Sequence, residues 1–228
     1  MTSTNTILDT VEQAPDGAAQ AAVIWLHGLG ADGNDFASLP PQLGVSPELA
    51  VRYVFPHAPV IPVTINMGTP MPAWYDITSL DARGQDEAGI RQSAASIEML
   101  IAREIDRGVP ASRIVLAGFS QGAAMALFTG LRYESPLAGL LVLSGYLPLH
   151  ERLPKEAAEA NQQVPILQAH GRHDDVVPHQ LGYGSAELLR AAGYQVEWHE
   201  YEMAHEVCFE EVQEIGRWLN RVFGEESD

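Results

Sequence analysis

Apolar residues fall along this chain in short blocks divided by polar, glycine-bearing or proline-bearing breaks. Ala21–Leu26 and Ile114–Ala117 are continuous apolar runs with β-branched residues, as strands covered on both faces require. Val51–Phe55, Gly139–Gly145 and Val164–Gly171 read as further strands, although polar residues such as Arg52, Ser144 and Gln168 interrupt them. Tyr194–Tyr201 alternates apolar and polar residues, and Thr6–Gln13 is polar with some β-branched residues. These read as a further strand and an edge strand. Between the runs the period changes. Ile90, Ala94, Ile97, Leu100, Ile101 and Ile105 form one helical stripe over Asp86–Arg107. Val207, Val212, Ile215, Trp218, Leu219 and Val222 form another over Val207–Phe223. His179–Ala192 is also helical, and Asn34–Leu43 predicts a short helix closed by Pro40 and Pro41. Val60–Asp76 predicts a long structured loop, and loops of that length in compact domains usually carry function. Strands alternating with helices, with no repeat or linker, predict a single α/β domain over residues 1–228, built on a mostly parallel sheet.

In such sheets chemistry gathers at the carboxyl ends of the strands. The most informative stretch lies there: Arg113-Ile-Val-Leu-Ala-Gly-Phe-Ser-Gln-Gly122, followed by the helix former Ala123–Phe128. A serine between two glycines is more often merely a turn. Here a strand enters it and a helix leaves it, the context in which G-x-S-x-G holds a nucleophile on a sharp elbow. Gly118 and Gly122 flank Ser120 because a Cβ would clash where strand and helix pass. The helix N-terminus behind Ser120 favours negative charge nearby.

A serine hydroxyl needs a base, and the base an orienting carboxylate. On an elbow of this kind the acid and then the histidine follow the serine along the chain. After Ser120, the acidic residues at a strand end are Asp174 and Asp175, one facing an imidazole and the other free to cap the helix beginning near Pro178. The histidine is His205, in the loop between the last strand and the last helix. The oxyanion of acyl transfer needs preorganised N–H donors. Gln121, after the nucleophile, supplies one from its backbone, and the His27-Gly28-Leu29-Gly30 loop supplies the other, from Leu29.

Composition narrows the function further. The formal charge of −17 excludes a nucleic-acid binder and opposes docking on anionic lipid. Cys208 is the only cysteine, which rules out an intramolecular disulfide; on the last helix it reads as a small core residue, not a nucleophile. His170, His173, His179 and His199 match no zinc spacing, so no metal site is expected. Met1–Ala14 carries neither a basic nor an apolar leader segment, and no run is long enough to span a bilayer, so the expected location is cytoplasmic, without stable membrane insertion.

Several segments together resemble the phospholipase/carboxylesterase family of α/β-hydrolases, which includes acyl-protein thioesterases and small bacterial carboxylesterases. They are Leu26-His-Gly-Leu-Gly-Ala-Asp-Gly-Asn-Asp-Phe36, Phe55-Pro-His-Ala-Pro59, Met71-Pro-Ala-Trp-Tyr-Asp76, Gly118–Met125, Leu143-Ser-Gly-Tyr146, His170-Gly171 with Asp174 and Val177-Pro178, and Met203-Ala-His205. They occur in the family's order over nearly the whole chain. The resemblance implies an α/β-hydrolase fold with helices on both faces of the sheet. It also implies Ser120, Asp174 and His205 as triad, Leu29 and Gln121 as backbone donors, and hydrolysis of esters or thioesters without a cofactor.

The acyl or alcohol group is expected along Val60–Trp74, where Ile65, Met67, Met71 and Trp74 are apolar and adaptable. Leu147–Gln163 is too short for a large lid domain, so an open site for short- to medium-chain esters is expected. Acyl-protein thioesters and lysophospholipids are the alternative substrates. Lactonase or peptidase chemistry on the same triad, or a non-catalytic binding member of the fold, are the rivals. A homodimer through an apolar patch is compatible with the sequence.

Overall fold

The computed structural model describes residues 7–78 and 84–224. In chain order the elements are β1 (Thr10–Gln13), β2 (Ala21–Leu26), β3 (Val51–Pro56), β4 (Val60–Val63), β5 (Thr69–Pro72), α1 (Glu87–Asp106), β6 (Ile114–Phe119) and α2 (Gln121–Gly130). They continue with β7 (Gly139–Leu143), α3 (Leu153–Glu156), β8 (Ile166–Gly171), α4 (His179–Ala191), β9 (Val196–Tyr201) and α5 (Phe209–Gly224).

Seven strands form one sheet in the order β1-β3-β2-β6-β7-β8-β9. β1 runs antiparallel to β3, and every other pair is parallel. The register aligns Leu26 with Gly118, Phe119 with Leu143, and Gly171 with Tyr201, so these strands end side by side.

Successive side chains in a strand point to opposite faces, and the two cores follow that period. Ala22, Ile24, Leu26, Leu116, Leu140 and Val142 face α1, α2 and α4. Val23, Trp25, Tyr53, Val115, Leu141 and Leu167 face α5 and the segment around Leu43. The last helix buries Val212, Ile215, Trp218, Leu219 and Phe223. A side chain of that size stabilises the fold by roughly 1.5–3 kcal/mol when fully buried. Trp218→Ala, which would open a cavity under β7, should cost about 3–5 kcal/mol.

The first long helix begins at Asp86, whose carboxylate accepts a hydrogen bond from Gly89 N at 2.9 Å. This satisfies one of the orphan donors of the first turn. Ile90, Ala94, Ile97, Leu100 and Ile101 are buried as the stripe requires, whereas Ile105, at the helix end, is exposed. Glu104 is buried instead, 2.6 Å from Arg52 on β3 and 2.9 Å from Arg107.

Three segments depart from the sequence reading. Asn34–Leu43 forms consecutive turns and one 3₁₀ turn, Pro40–Gln42, instead of a helix. The Asp32 carboxylate captures Asn34 N at 2.7 Å and starts a turn, and the two prolines remove the amides that a helix would need. The expected loop Val60–Asp76 contains a hairpin, β4 with β5, closed by Met67 and Gly68, both with positive φ. Pro62, Pro70 and Pro72 conceal it in the sequence, yet a two-stranded ribbon tolerates them because both of its strands are edges. The last helix starts at Phe209, so Cys208 precedes it and its carbonyl accepts from Val212 N at 3.0 Å. Thr6, the expected start of the edge strand, lies outside the described residues.

Candidate active site

β6 delivers Ser120 to the carboxyl edge of the sheet, and α2 carries the chain away. A Cβ on Gly118 would strike the Gly122 carbonyl, and one on Gly122 would strike the carbonyl of Leu26. Only glycines let the elbow close against β2. Between them Ser120 adopts φ 56° and ψ −118°, a conformation that costs a side-chain-bearing residue about 1–3 kcal/mol. The neighbouring strand holds it there, because Ser120 N donates to Leu143 O at 2.8 Å.

His205 reaches the same point from the loop after β9. Its Nε2 is 2.9 Å from Ser120 Oγ, and its Nδ1 is 2.7 Å from Asp174 Oδ2. The Phe119 ring lies 4.7 Å from the imidazole, centroid to centroid, and flanks it. Asp174 follows β8 and is buried, whereas Asp175 is exposed. The second Asp174 oxygen accepts from the Val176 and Val177 amides at 3.0 and 2.8 Å. Burial opposes ionisation of Asp174, but hydrogen bonds from His170, His205 and Val177 outweigh it and hold the carboxyl well below the usual carboxylate range. Neither aspartate caps α4, whose first turn has no side-chain cap. Arg172 and His173 turn outward to Glu200 and Glu202.

The Gly28–Gly30 loop is fixed beside the serine. A Cβ on Gly28 would lie 3.4 Å from Ser120 Cβ, and Gly30 N donates to Pro72 O at 2.8 Å. The buried His27 ring accepts from Ala58 N through Nε2 at 3.0 Å and faces Gly28 O through Nδ1 at 2.7 Å. Burial lowers its pKa, so the ring stays neutral and acts as a strut. The Leu29 and Gln121 amides donate to no group among the described residues. They remain available to an oxyanion. The Gln121 side chain is used differently: it accepts from Trp74 N and donates to Tyr75 O, both at 2.8 Å.

The four apolar residues of Val60–Trp74 separate. Trp74 is buried, with Nε1 donating to His27 O at 2.9 Å, and belongs to the support beneath the site, contrary to the expectation that it meets substrate. Met67 sits at the hairpin tip, 96% exposed. Ile65 is half-buried. Met71 lies against the Gly28–Gly30 loop, 3.8 Å from where a Gly30 Cβ would be. A cavity of about 700 Å³, lined in part by Tyr146, Leu149, Leu181 and Leu188, opens at the same edge but does not include Ser120 or His205.

Sequence reading missed three supports: Phe119 against the imidazole, the Gln121 side-chain clamp, and His170 against Asp174. A buried histidine four residues before the acid was the only available signal for the last. His170 and His179 pack with Trp198 in an aromatic cluster. Glu197, His199 and Glu214 bring one ligand atom each within 4.8 Å of one another. Their carboxylates are already paired with Arg221 and Arg217.

Such an arrangement can relay a proton from a hydroxyl to an imidazole oriented by a carboxylate, beside two free amides. The profile of the Phospholipase/Carboxylesterase family matches residues 9–223. Acyl-protein thioesterase 1 of Neurospora crassa is 45% identical over 211 residues, covering 87% of this chain and 85% of that protein. The crystal structure of Zea mays acyl-protein thioesterase 2 superposes with a TM-score of 0.83 at 31% identity, covering 95% of this chain and 99% of the other. Arabidopsis thaliana SOBER1 gives a TM-score of 0.83 at 30% identity, covering 89% and 98%. The chain belongs to the phospholipase/carboxylesterase family and is a serine hydrolase of the α/β-hydrolase fold.

Proposed function

We propose that this member of the family hydrolyses carboxylic esters of short to medium acyl chain through an acyl-enzyme on Ser120, within one catalytic domain. The observation that carries the reading is the continuous Ser120–His205–Asp174 hydrogen-bond chain at 2.9 and 2.7 Å. Ser120 Oγ attacks the acyl carbonyl as its proton passes to His205 Nε2. Asp174 holds the imidazole through Nδ1–H and stabilises the imidazolium. The carbonyl oxygen becomes an oxyanion held by the Leu29 and Gln121 amides. His205 then gives its proton to the leaving alcohol, and the C–O bond to that alcohol breaks. Water, deprotonated by His205, adds to the acyl-enzyme, and its collapse returns the proton to Ser120 and releases the acid. Met71, against the oxyanion loop, flanks the acyl group.

Acyl thioesters are the second reading, carried by the 45% identity to an acyl-protein thioesterase. The same steps cleave them, with a thiol as leaving group. The formal charge of −17 and the absence of a helix long and apolar enough to cross a membrane among the described residues fit a reaction in water, in the cytoplasm. Turnover of p-nitrophenyl esters of increasing chain length, beside an S-acylated peptide, separates the two. Ester hydrolysis peaking at short or medium chain and lost in Ser120→Ala supports the first reading. Turnover of the peptide alone supports the second, and turnover of neither refutes both.

A further inference from the structure

His170 occupies the end of β8, four residues before Asp174, and is fully buried. Its Nε2 lies 2.8 Å from Val177 O and 3.3 Å from Asp174 Oδ2. Val177 O is an acceptor only, and so is an ionised carboxylate. Two acceptors therefore converge on one ring nitrogen, and that nitrogen must carry the proton. Nδ1 is buried with no hydrogen-bond partner among the described residues. It is pressed against Gly182, where a Cβ would collide with Nδ1 and Cε1. An N–H placed at Nδ1 would be stranded, whereas an unused lone pair there costs less. The hydrogen-bond network thus assigns the tautomer with the proton on Nε2. The ring cannot rotate away: Trp198 stacks on it at 6.1 Å and 22°, and His179, bonded to Glu200, meets it edge-on at 5.9 Å.

Asp174 Oδ2 consequently faces two imidazole N–H groups, that of His205 at 2.7 Å and that of His170, shared with Val177 O, at 3.3 Å. Its other oxygen receives two backbone amides. We infer that His170 is a positioning residue for acyl transfer, a second imidazole that holds the Asp174 carboxylate so that Oδ2 stays on His205 Nδ1. The inference rests on the reading of Ser120 and His205 as nucleophile and base. His170 acts through Asp174 and touches no reacting atom. By sharing Oδ2 it also lowers the basicity of that oxygen, which keeps the proton on His205 and leaves the carboxylate ionised throughout.

The test compares His170→Phe, which keeps the ring and removes the N–H, with His170→Gln, whose amide reaches to about the Nε2 position. In His170→Phe, kcat for a p-nitrophenyl ester should fall about 10–100-fold with KM changed by less than about two-fold, because only orientation is lost. With one donor gone, Oδ2 becomes more basic and stabilises the imidazolium better, so the acid limb of kcat/KM should move to higher pH, by about half a unit. His170→Gln should return both readouts most of the way to wild type. His170→Asn, whose amide falls short of Asp174, should behave like the phenylalanine variant and replaces it if that variant does not fold. A merely packing role would lower kcat equally in the folded Gln, Asn and Phe variants and leave the limb in place. That result overturns the inference, as does wild-type kinetics in all of them. Full activity in Ser120→Ala would instead overturn the reading of the nucleophile on which the inference stands.

Discussion

Two buried carboxyl groups stand on either side of His205 in the chain, and their surroundings are opposite. Asp174, after β8, receives four donors: His170, His205 and the Val176 and Val177 amides. Glu211, in the first turn of α5, is equally buried, and no side chain among the described residues donates to either of its oxygens. The pKa values part accordingly. Burial opposes the charge on Asp174, but its donors hold the carboxyl far below the ordinary 3.8. Burial pushes Glu211 up to about 8, opposed only in part by the backbone of Cys208. Burial alone therefore does not decide the charge of a carboxyl group here. The donors do: four converge on Asp174, and no side chain among the described residues donates to Glu211.

The comparison breaks first at the serine. Ser120→Ala should lower kcat for ester hydrolysis by about 10,000-fold or more, because serine and imidazole act as one unit. Asp174→Asn keeps the volume and removes the charge. The wrong imidazole tautomer would then face Ser120, and kcat should fall by about 1,000-fold or more. Both losses are read in steady-state kinetics on folded variants. If Asp174→Asn were nearly as active as wild type, the ionised carboxylate would have no role in the reaction.

Glu211 predicts a smaller effect, on stability and of the other sign. Its carboxyl titrates near the ordinary 4.5 when unfolded and at about 8 when folded. Between those values the unfolded chain has released the proton and the folded chain has not, so this group's contribution to stability falls as pH rises from 4.5 to 8. Glu211→Gln removes that cost and should stabilise the protein by about 1–3 kcal/mol at pH 8.5, with little effect near pH 4.5. Urea midpoints at the two pH values check this. Asp174 runs the other way: its folded value is depressed, so its contribution is complete above pH 3.8 and is lost as pH falls below that. Last, Met67 is almost fully exposed at the hairpin tip. Met67→Ser should change kcat/KM for short esters by less than about two-fold, the usual scale for a surface change.

What the sequence revealed followed how local each feature is. The elbow is written in consecutive residues, Gly118 to Gly122, with strand and helix adjoining, so Ser120 was legible. His205 was legible from its place between a strand and a helix. Asp174 and Asp175 are adjacent and chemically identical. Only the loop that turns Asp174 inward and returns the Val176 and Val177 amides to it distinguishes them. The tethering of Asp174 by His170 depends on the distance between two side chains, which spacing does not encode. Prolines, normally strand breakers, hid the β4–β5 hairpin, and an Asx turn at Asp32 overrode the apparent helix at Asn34–Leu43. Trp74 has the polarity of a pocket residue, yet its indole N–H is committed to His27 O beneath the site.

The central claim, that Ser120 is a nucleophile activated by His205 and held in register by Asp174, is tested most directly by site-mapped labelling with a fluorophosphonate probe. Intact-mass and peptide spectrometry should find one adduct, on Ser120, in the wild type. Its rate of formation should fall by about 1,000-fold or more in His205→Ala and Asp174→Asn. An adduct on another residue, or labelling at the wild-type rate in His205→Ala, would contradict the account.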